Sequence, residues 1–572
     1  MKRTAAVVCL TLCLAACGGG GSGGGGAAPA PPFVTLTGQV TFDFVPVVAG
    51  RGLDYMSTAP RPARGVTIEL LQGGAVASSA TTDASGNYSF NVPSNTDVAL
   101  RVRAEMLRVG APSWDFRVLD NVNADALYTL AGTTFNSGGA NLTRNLHAPS
   151  GWGGSSYTAT RSAAPFAVLD VVYDAVQLVL SAAPDTTFPP LRLHWSTQNV
   201  PVEGTAPGEI GTSKYRLATG IFLVGSANQD TDEYDRHVIA HEFGHYLEHR
   251  FSRSDSIGGP HTLTDQLDMR VAFGEAWGNA FSAMVTGQAV YVDASGTGQT
   301  RSFSFNLEGR SQVNPNPGWF NEESLQSLIY DLYDNGRDLP TGATQIDDLA
   351  LGFAPLWAAL TDEQRTTRAF TSVFPFINAL KARRPADASL IDGLTRSQLI
   401  VPITDDYGSS ETNFGLPKQR TEQEVRADFH TVYDEISIDA PTPITVCSLD
   451  DFTSPPPGTG AENKLASRRF LRFTVANPDV YTITARAIAP LNASADPDMR
   501  LHIGAGQLIE SDGAPSAQCT AGAPQECLET FSPTLDAGDY ALEVYEWTNT
   551  NETDDPTYPP IGRTCFDVTV TQ

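Results

Sequence analysis

Between Val271 and Val292 the chain runs for 22 residues with a single charged side chain, Glu275, set among Phe273, Trp277, Ala280, Phe281, Met284 and Val285. A stretch this long and this apolar predicts a helix that a folded core must cover. An ionised carboxylate left alone inside such a helix is costly, so Glu275 needs a cationic partner. Arg270 could supply a salt bridge. A metal ion could do the same, and a segment thirty residues upstream favours the metal.

That segment is His241-Glu242-Phe243-Gly244-His245, inside a predicted helix from Asp232 to about Arg250. Asp232 is placed to cap the helix, Glu233 and Asp235 suit its positive end, and Ile239, Phe243, Tyr246 and Leu247 form an apolar face. Histidines four apart project from one side of a helix and can converge on one ion, with Glu242 beside them as a base. The bare pattern arises by chance in roughly one chain in a hundred of this length. A third protein ligand is therefore needed to complete a catalytic zinc site that keeps a position for water. Phe251 stands where a metzincin would have its third histidine, which excludes that class. His237 and His249 share a helical stripe and suit a surface or core-edge role. His261 follows a Gly-Gly-Pro turn and could approach the site, and Glu275 is the preferred third ligand.

HEFGH followed by Gly258-Gly-Pro260 and Gly274-Glu275-Ala-Trp277-Gly-Asn279 resembles the gluzincin metallopeptidases, and within them the fungalysin type, whose matching stretch reads GEGWSD. The resemblance covers about 50 residues and implies zinc held by His241, His245 and Glu275. It also implies Glu242 as general base and a downstream His or Tyr on the oxyanion, for which Tyr330, Tyr333 and His430 are candidates. One position departs from the pattern. Asn279 replaces the Asp that accepts a hydrogen bond from a histidine ligand, which implies a less polarised imidazole. The run Gly220-Ile-Phe-Leu-Val-Gly225 resembles the edge strand on which such enzymes align a peptide, and reads equally as a buried strand. The acids of Asp230-Thr-Asp232-Glu233-Tyr-Asp235 could hold Ca2+, although helix-start electrostatics accounts for them without it.

At 572 residues the chain predicts roughly three to four compact units. Residues 1–17, with Lys2 and Arg3 ahead of an apolar run, read as an export signal. Its end, Leu14-Ala-Ala-Cys17, resembles the lipobox of bacterial lipoproteins, implying a lipid anchor on Cys17 at the outer membrane or cell surface. The Gly/Pro-rich residues 18–32 form a tether reaching roughly 20 Å. Residues 33–125 alternate as short strands, predicting a β-sandwich. Within them Gly65 to Val102 resembles the carboxypeptidase regulatory-like module. Residues 126–440 show helical periodicity in Ala164 to Ala183 and Glu322 to Tyr333, and hold the metallopeptidase motifs. Residues 441–572 return to short strands, and their Asp496-Pro-Asp498 and Leu535-Asp-Ala-Gly538-Asp-Tyr540 segments resemble the pre-peptidase C-terminal domain of secreted peptidases. The expected fold is thus multidomain, an α+β zincin-like core flanked by two β-sandwiches.

Four cysteines remain in the last quarter, consistent with two disulfides. The short loop favours Cys519 with Cys527, leaving Cys447 for Cys565. Three pairings are possible, and a zinc site from these four is the weaker reading because neither pair has CxxC spacing. A net charge of −27 with no Lys/Arg run in the mature chain excludes nucleic acid as a partner. The expected function is a secreted, lipid-anchored zinc metalloendopeptidase acting on peptides or proteins. A non-catalytic surface adhesin with a relic zincin domain is the competing reading.

Overall fold

The computed structural model describes residues 32–308, 316–335, 349–412, 430–448, 462–488, 495–504, 506–511, 528–550 and 561–572. Cys17, Cys519 and Cys527 lie outside the described residues. The protein is multidomain and rich in β-structure.

Strand Phe33–Phe44 alternates buried and exposed positions and opens the first sheet. It pairs antiparallel with Asn87–Pro93 and Ala59–Pro62, and parallel with Leu142–Thr143 and Leu146–Ala148. A second sheet runs from Ala75–Thr81 through Val66–Gln72 and Asp97–Arg108 to Trp114–Asp120. It does not stop there. Leu191–Trp195 adds parallel to Trp114–Asp120, with Leu191 opposite Phe116 and Leu193 opposite Val118, and Gly220–Leu223 adds parallel to Leu191–Trp195. The boundary placed at 125/126 is therefore crossed by a continuous ten-stranded sheet. The change of sequence texture near 126 marks where helices begin to cover the sheet, not where the sheet ends. Lys214–Arg216 pairs outside Gly220–Leu223, so the Gly220–Gly225 run is an interior strand and not the sheet edge.

Helix α1 (Ala164–Ala182) buries its apolar face in the core shared by both halves. Its Asp170 is buried and held by Arg64 from the first β-unit. Helix α2 (Arg236–Phe251) carries HEFGH and helix α3 (Met269–Thr286) carries Glu275. The α2 start differs from expectation. Asp235 occupies the N-cap position without a side-chain capping bond, and Asp232 lies before the helix. Glu233 is fully buried and pairs with Arg161, whose guanidinium also donates to the Gly225 carbonyl at 2.7 Å. α3 ends at Gly287, whose φ of 63° is the left-handed conformation of a helix C-terminus. Helix α4 (Glu322–Tyr333) is capped by Asn321 Oδ1, which accepts from Ser324 N.

The last quarter forms two packed sheets. One is built around Arg468–Val475, Gly538–Glu546 and Pro497–Ile503; the other around Ile444–Ser448, Thr564–Thr571 and Thr482–Ala487. Cys447 and Cys565 are disulfide-bonded across neighbouring strands. This unit is tied to the centre of the protein by buried charge. Arg270, at the start of α3 and 2 % exposed, donates to Asp268 and to Glu543, which also accepts from Arg468. The Arg270 guanidinium considered as a partner for Glu275 is thus committed elsewhere. Asn463 and Lys464 reach over to donate to the carbonyls of Gly258 and Pro260, the loop between α2 and α3.

Candidate metal centre

α2 and α3 cross where both are glycine. A Cβ on Gly244 would stand 3.1 Å from the Cα of Gly278, so the absence of side chains lets the backbones touch. Trp277, fully buried, donates its indole N–H to the Gly244 carbonyl at 3.3 Å. The close crossing brings Glu275 over the histidine face of α2. His241 Nε2 and His245 Nε2 are 3.0 Å apart, and Glu275 Oε2 lies 3.3 Å from the first and 3.4 Å from the second. Three ligand atoms on a tetrahedral zinc with bonds of 2.0–2.1 Å would be separated by about 3.3 Å. The triangle fits that ion, and all three side chains are mostly buried.

The electrostatics favour a cation at this point. Burial alone would raise the Glu275 carboxyl, but the charge of His245 and hydrogen bonds from His241, His245 and His261 hold it well below the usual carboxylate range. Burial acts to lower His245, and Glu275 and Glu248 outweigh it, leaving that imidazole well above its ordinary value. A positive charge is what the carboxylates stabilise here, and a proton or a metal ion can supply it.

His241 is also held from behind. His241 Nδ1 donates to Asn279 Oδ1 at 2.8 Å, which leaves Nε2 free to face the centre. The amide of Asn279 cannot turn over, because its Nδ2 donates to Glu322 Oε1 and to Gln326 Oε1, both at 2.7 Å. The carboxyl missing at 279 is therefore present one hydrogen bond further back, on Glu322 of α4. His245 Nδ1 faces the buried carboxylate of Glu248 at 3.9 Å.

Gly278 completes the fit, since a Cβ there would lie 2.8 Å from His241 Nδ1. Gly278→Ala is expected to push the ring off Asn279 and to cost about 1–3 kcal/mol of stability, the usual penalty of overpacking. Thermal denaturation together with zinc affinity checks this. A variant matching the parent in both would mean that the helices part without strain.

The remaining sequence candidates fall in different places. Glu242, on α2 between the two histidines, is 7 % exposed. Tyr330 and Tyr333 pack against each other at the far end of α4, with Tyr330 about 12 Å along the helix from Glu322 at 1.5 Å per residue. They do not join the cluster. His430 is ion-paired with Asp434 at 2.6 Å. His237 is buried and hydrogen-bonded to the Gln288 carbonyl at 3.0 Å, and His249 Nδ1 bonds the carbonyl of His245. The histidine that does reach the centre is His261, with Nε2 3.5 Å from both Glu275 Oε2 and Glu322 Oε2. Sequence reasoning raised it only as a rival ligand and missed Glu322 and Gln326. Acids at a helix start ordinarily read as dipole partners, and no local pattern shows that Glu322 meets Asn279 43 residues away.

No protein-family model and no curated protein matches the chain. Among solved structures it is similar to the pre-peptidase C-terminal domain of a collagenase from Bacillus anthracis, at 13 % identity over 24 % of this chain and 93 % of that one, with a TM-score of 0.15. It is also similar to CorA, a surface-associated copper-binding protein of Methylomicrobium album BG8, at 11 % identity over 24 % of this chain and 96 % of that one, TM-score 0.17. A third is PliG of Aeromonas hydrophila, a periplasmic inhibitor of g-type lysozyme, at 10 % identity over 24 % and 96 %, TM-score 0.13. These likenesses assign no activity, and a functional reading stands on the site alone.

Proposed function

We propose that the chain is an exported zinc metallopeptidase of the gluzincin type, anchored by lipid at Cys17 and hydrolysing peptide bonds in peptides or proteins. One observation carries the reading: the ligand atoms of His241, His245 and Glu275 converge at 3.0–3.4 Å around a point framed by buried carboxylates. Zinc held there by His241, His245 and Glu275 would supply an electrophile for the scissile carbonyl and lower the pKa of an attacking water to about 7.

The protein's own groups do the rest. Asn279 orients the His241 imidazole so that it presents Nε2, and the buried Glu248 carboxylate faces Nδ1 of His245 as a nearby negative charge. Glu242 accepts the proton of the attacking water and returns it to the departing amine, one carboxylate serving as base and then as acid. His261, poised beside Glu275, takes the oxyanion-facing role in place of the tyrosines and His430.

The test uses the mature chain with Cys17 replaced. Parent and Glu242→Gln are compared for zinc content and for cleavage of an unfolded protein. Both are expected to hold one zinc per chain, and only the parent to cleave. If both bind zinc and neither cleaves, the surface-adhesin reading replaces this one. A folded parent without zinc removes the metal assignment as well.

A further inference from the structure

A second set of acids gathers at the start of α2. Asp230 lies on the short strand Asp230–Thr231, which pairs with Gly225–Ser226 on one side and meets strand Val290–Ser295 on the other. Asp232 follows it, Asp235 sits at the α2 N-cap, and Asp293 comes from Val290–Ser295. Carboxylate oxygens of Asp230, Asp232 and Asp293 all lie within 4.8 Å of one another. Asp232 is 2 % exposed and Asp235 0 %.

What these side chains lack is a counter-ion. Oδ1 of each of the four is buried with no hydrogen bond. Ser213 Oγ donates to the other oxygen of Asp232, and Ala294 N to that of Asp235 at 3.1 Å, which leaves the Oδ1 atoms unused. Arg161, the nearby cation, spends its guanidinium on Glu233, Thr231 and the Gly225 carbonyl. Among the described residues no Lys, Arg or His forms an ion pair with any of the four. Buried carboxylates crowded together with no counter-ion oppose folding unless something positive joins them.

We propose that Asp230, Asp232 and Asp293 ligate one calcium ion, with Asp235 lining the same site. All donors are oxygens, which selects a hard cation, and the absence of imidazole and thiolate argues against zinc. Calcium tolerates the irregular arrangement of a loop, a helix start and a strand, where magnesium demands near-octahedral order. Burial and the neighbouring acids push Asp232 and Asp235 well above the usual carboxylate range and Asp293 to about 7, which is the cost a bound cation removes. The calcium reading of the Asp230–Asp235 stretch is thereby changed in membership: Glu233 leaves it for Arg161, and Asp293, 58 residues beyond Asp235, enters. The ion would fasten the start of α2 to the strand that follows α3, setting the two zinc-ligand helices from outside the zinc site.

The inference does not rest on the peptidase reading, and its test has separate readouts. The parent, stripped with EGTA and then given calcium chloride alone, is expected to bind about one calcium per chain and to melt at a higher temperature than the stripped protein. Asp230→Asn and Asp293→Asn should each bind calcium at least 10-fold more weakly and lose that shift, while Glu242→Gln keeps both. Zinc is measured in every sample. A parent that binds no stoichiometric calcium overturns the site, as do asparagine variants with an unchanged calcium response. If the asparagine variants are instead more stable than the parent whether or not calcium is present, the acids hold protons and not an ion, and the proposal fails.

Discussion

Glu275→Ala is expected to abolish stoichiometric zinc binding and, with it, all hydrolysis. Loss of a residue that merely orients a ligand weakens metal binding 10–100-fold in general, and loss of a ligand should exceed about 100-fold. The argument is one of charge as well as count. With Glu275 removed, His241 and His245 would still present nitrogens 3.0 Å apart, but without the carboxylate that draws positive charge to the point between them. His261 is the natural control because its Nε2 is only 3.5 Å from the same Glu275 oxygen. His261→Ala should lose about 10–100-fold in zinc affinity, the loss typical of outer partners and short of that for a ligand, while slowing cleavage. Titration against a competing chelator measures both variants. Parent-like affinity in Glu275→Ala with loss in His261→Ala would transfer the third-ligand role to the histidine.

Asn279→Asp should damage the protein, although it restores the residue of the resembling peptidase family. In this fold the Asn279 amide points both its protons at acceptors, Glu322 Oε1 and Gln326 Oε1. An aspartate would leave Gln326 without a donor and set a second carboxylate against buried Glu322. An orphaned buried acceptor costs about 1–3 kcal/mol, and a broken buried charge arrangement about 3–5 kcal/mol. The larger of the two, roughly 3–5 kcal/mol, sets the least loss expected. The pH dependence carries the sign. Burial already raises Glu322, and a second acid raises the pair further, so the folded variant keeps a shared proton that the unfolded chain gives up near the ordinary carboxylate value. Its stability is greatest in acid and falls as pH rises through the raised folded value. Denaturation midpoints between pH 5 and 8 should diverge from the parent, and Asn279→Asp combined with Glu322→Gln should recover most of the loss. A single variant that is as stable as the parent and more active would show that Glu322 has no part in the site.

The helices bearing the site were legible because their signals are local. Two histidines four apart and one acid in 22 apolar residues each point to a single face, and two such faces on adjacent helices have few ways to meet. The disulfide between Cys447 and Cys565 was legible in the same sense, by elimination within four cysteines. Features made by distant pairing were not. The sheet that carries the first β-unit into the half bearing the metal centre depends on parallel pairing of Leu191–Trp195 with Trp114–Asp120, and no alternation pattern reveals a neighbour 75 residues away. Asp293 reads as one polar position in a strand until the strand is laid beside Asp230. The start of α2 was misplaced for a related reason: Asp232 and Glu233 look like helix-start acids, but Ser213 and Arg161 claim them before the helix begins.

The bonds from the last quarter of the chain into the centre bear on the order of assembly. Arg270 finds Glu543 across 273 residues, and the loop ahead of α3 receives Asn463 and Lys464 from some 200 residues on. Contacts of such sequence separation form late, because the closure entropy of the intervening chain must be met first. The helix bearing Glu275 therefore cannot reach its final electrostatic balance until the C-terminal sheets have been made and folded. A chain cut at residue 440 would not be a smaller version of the same molecule; it would be one halted before its last step.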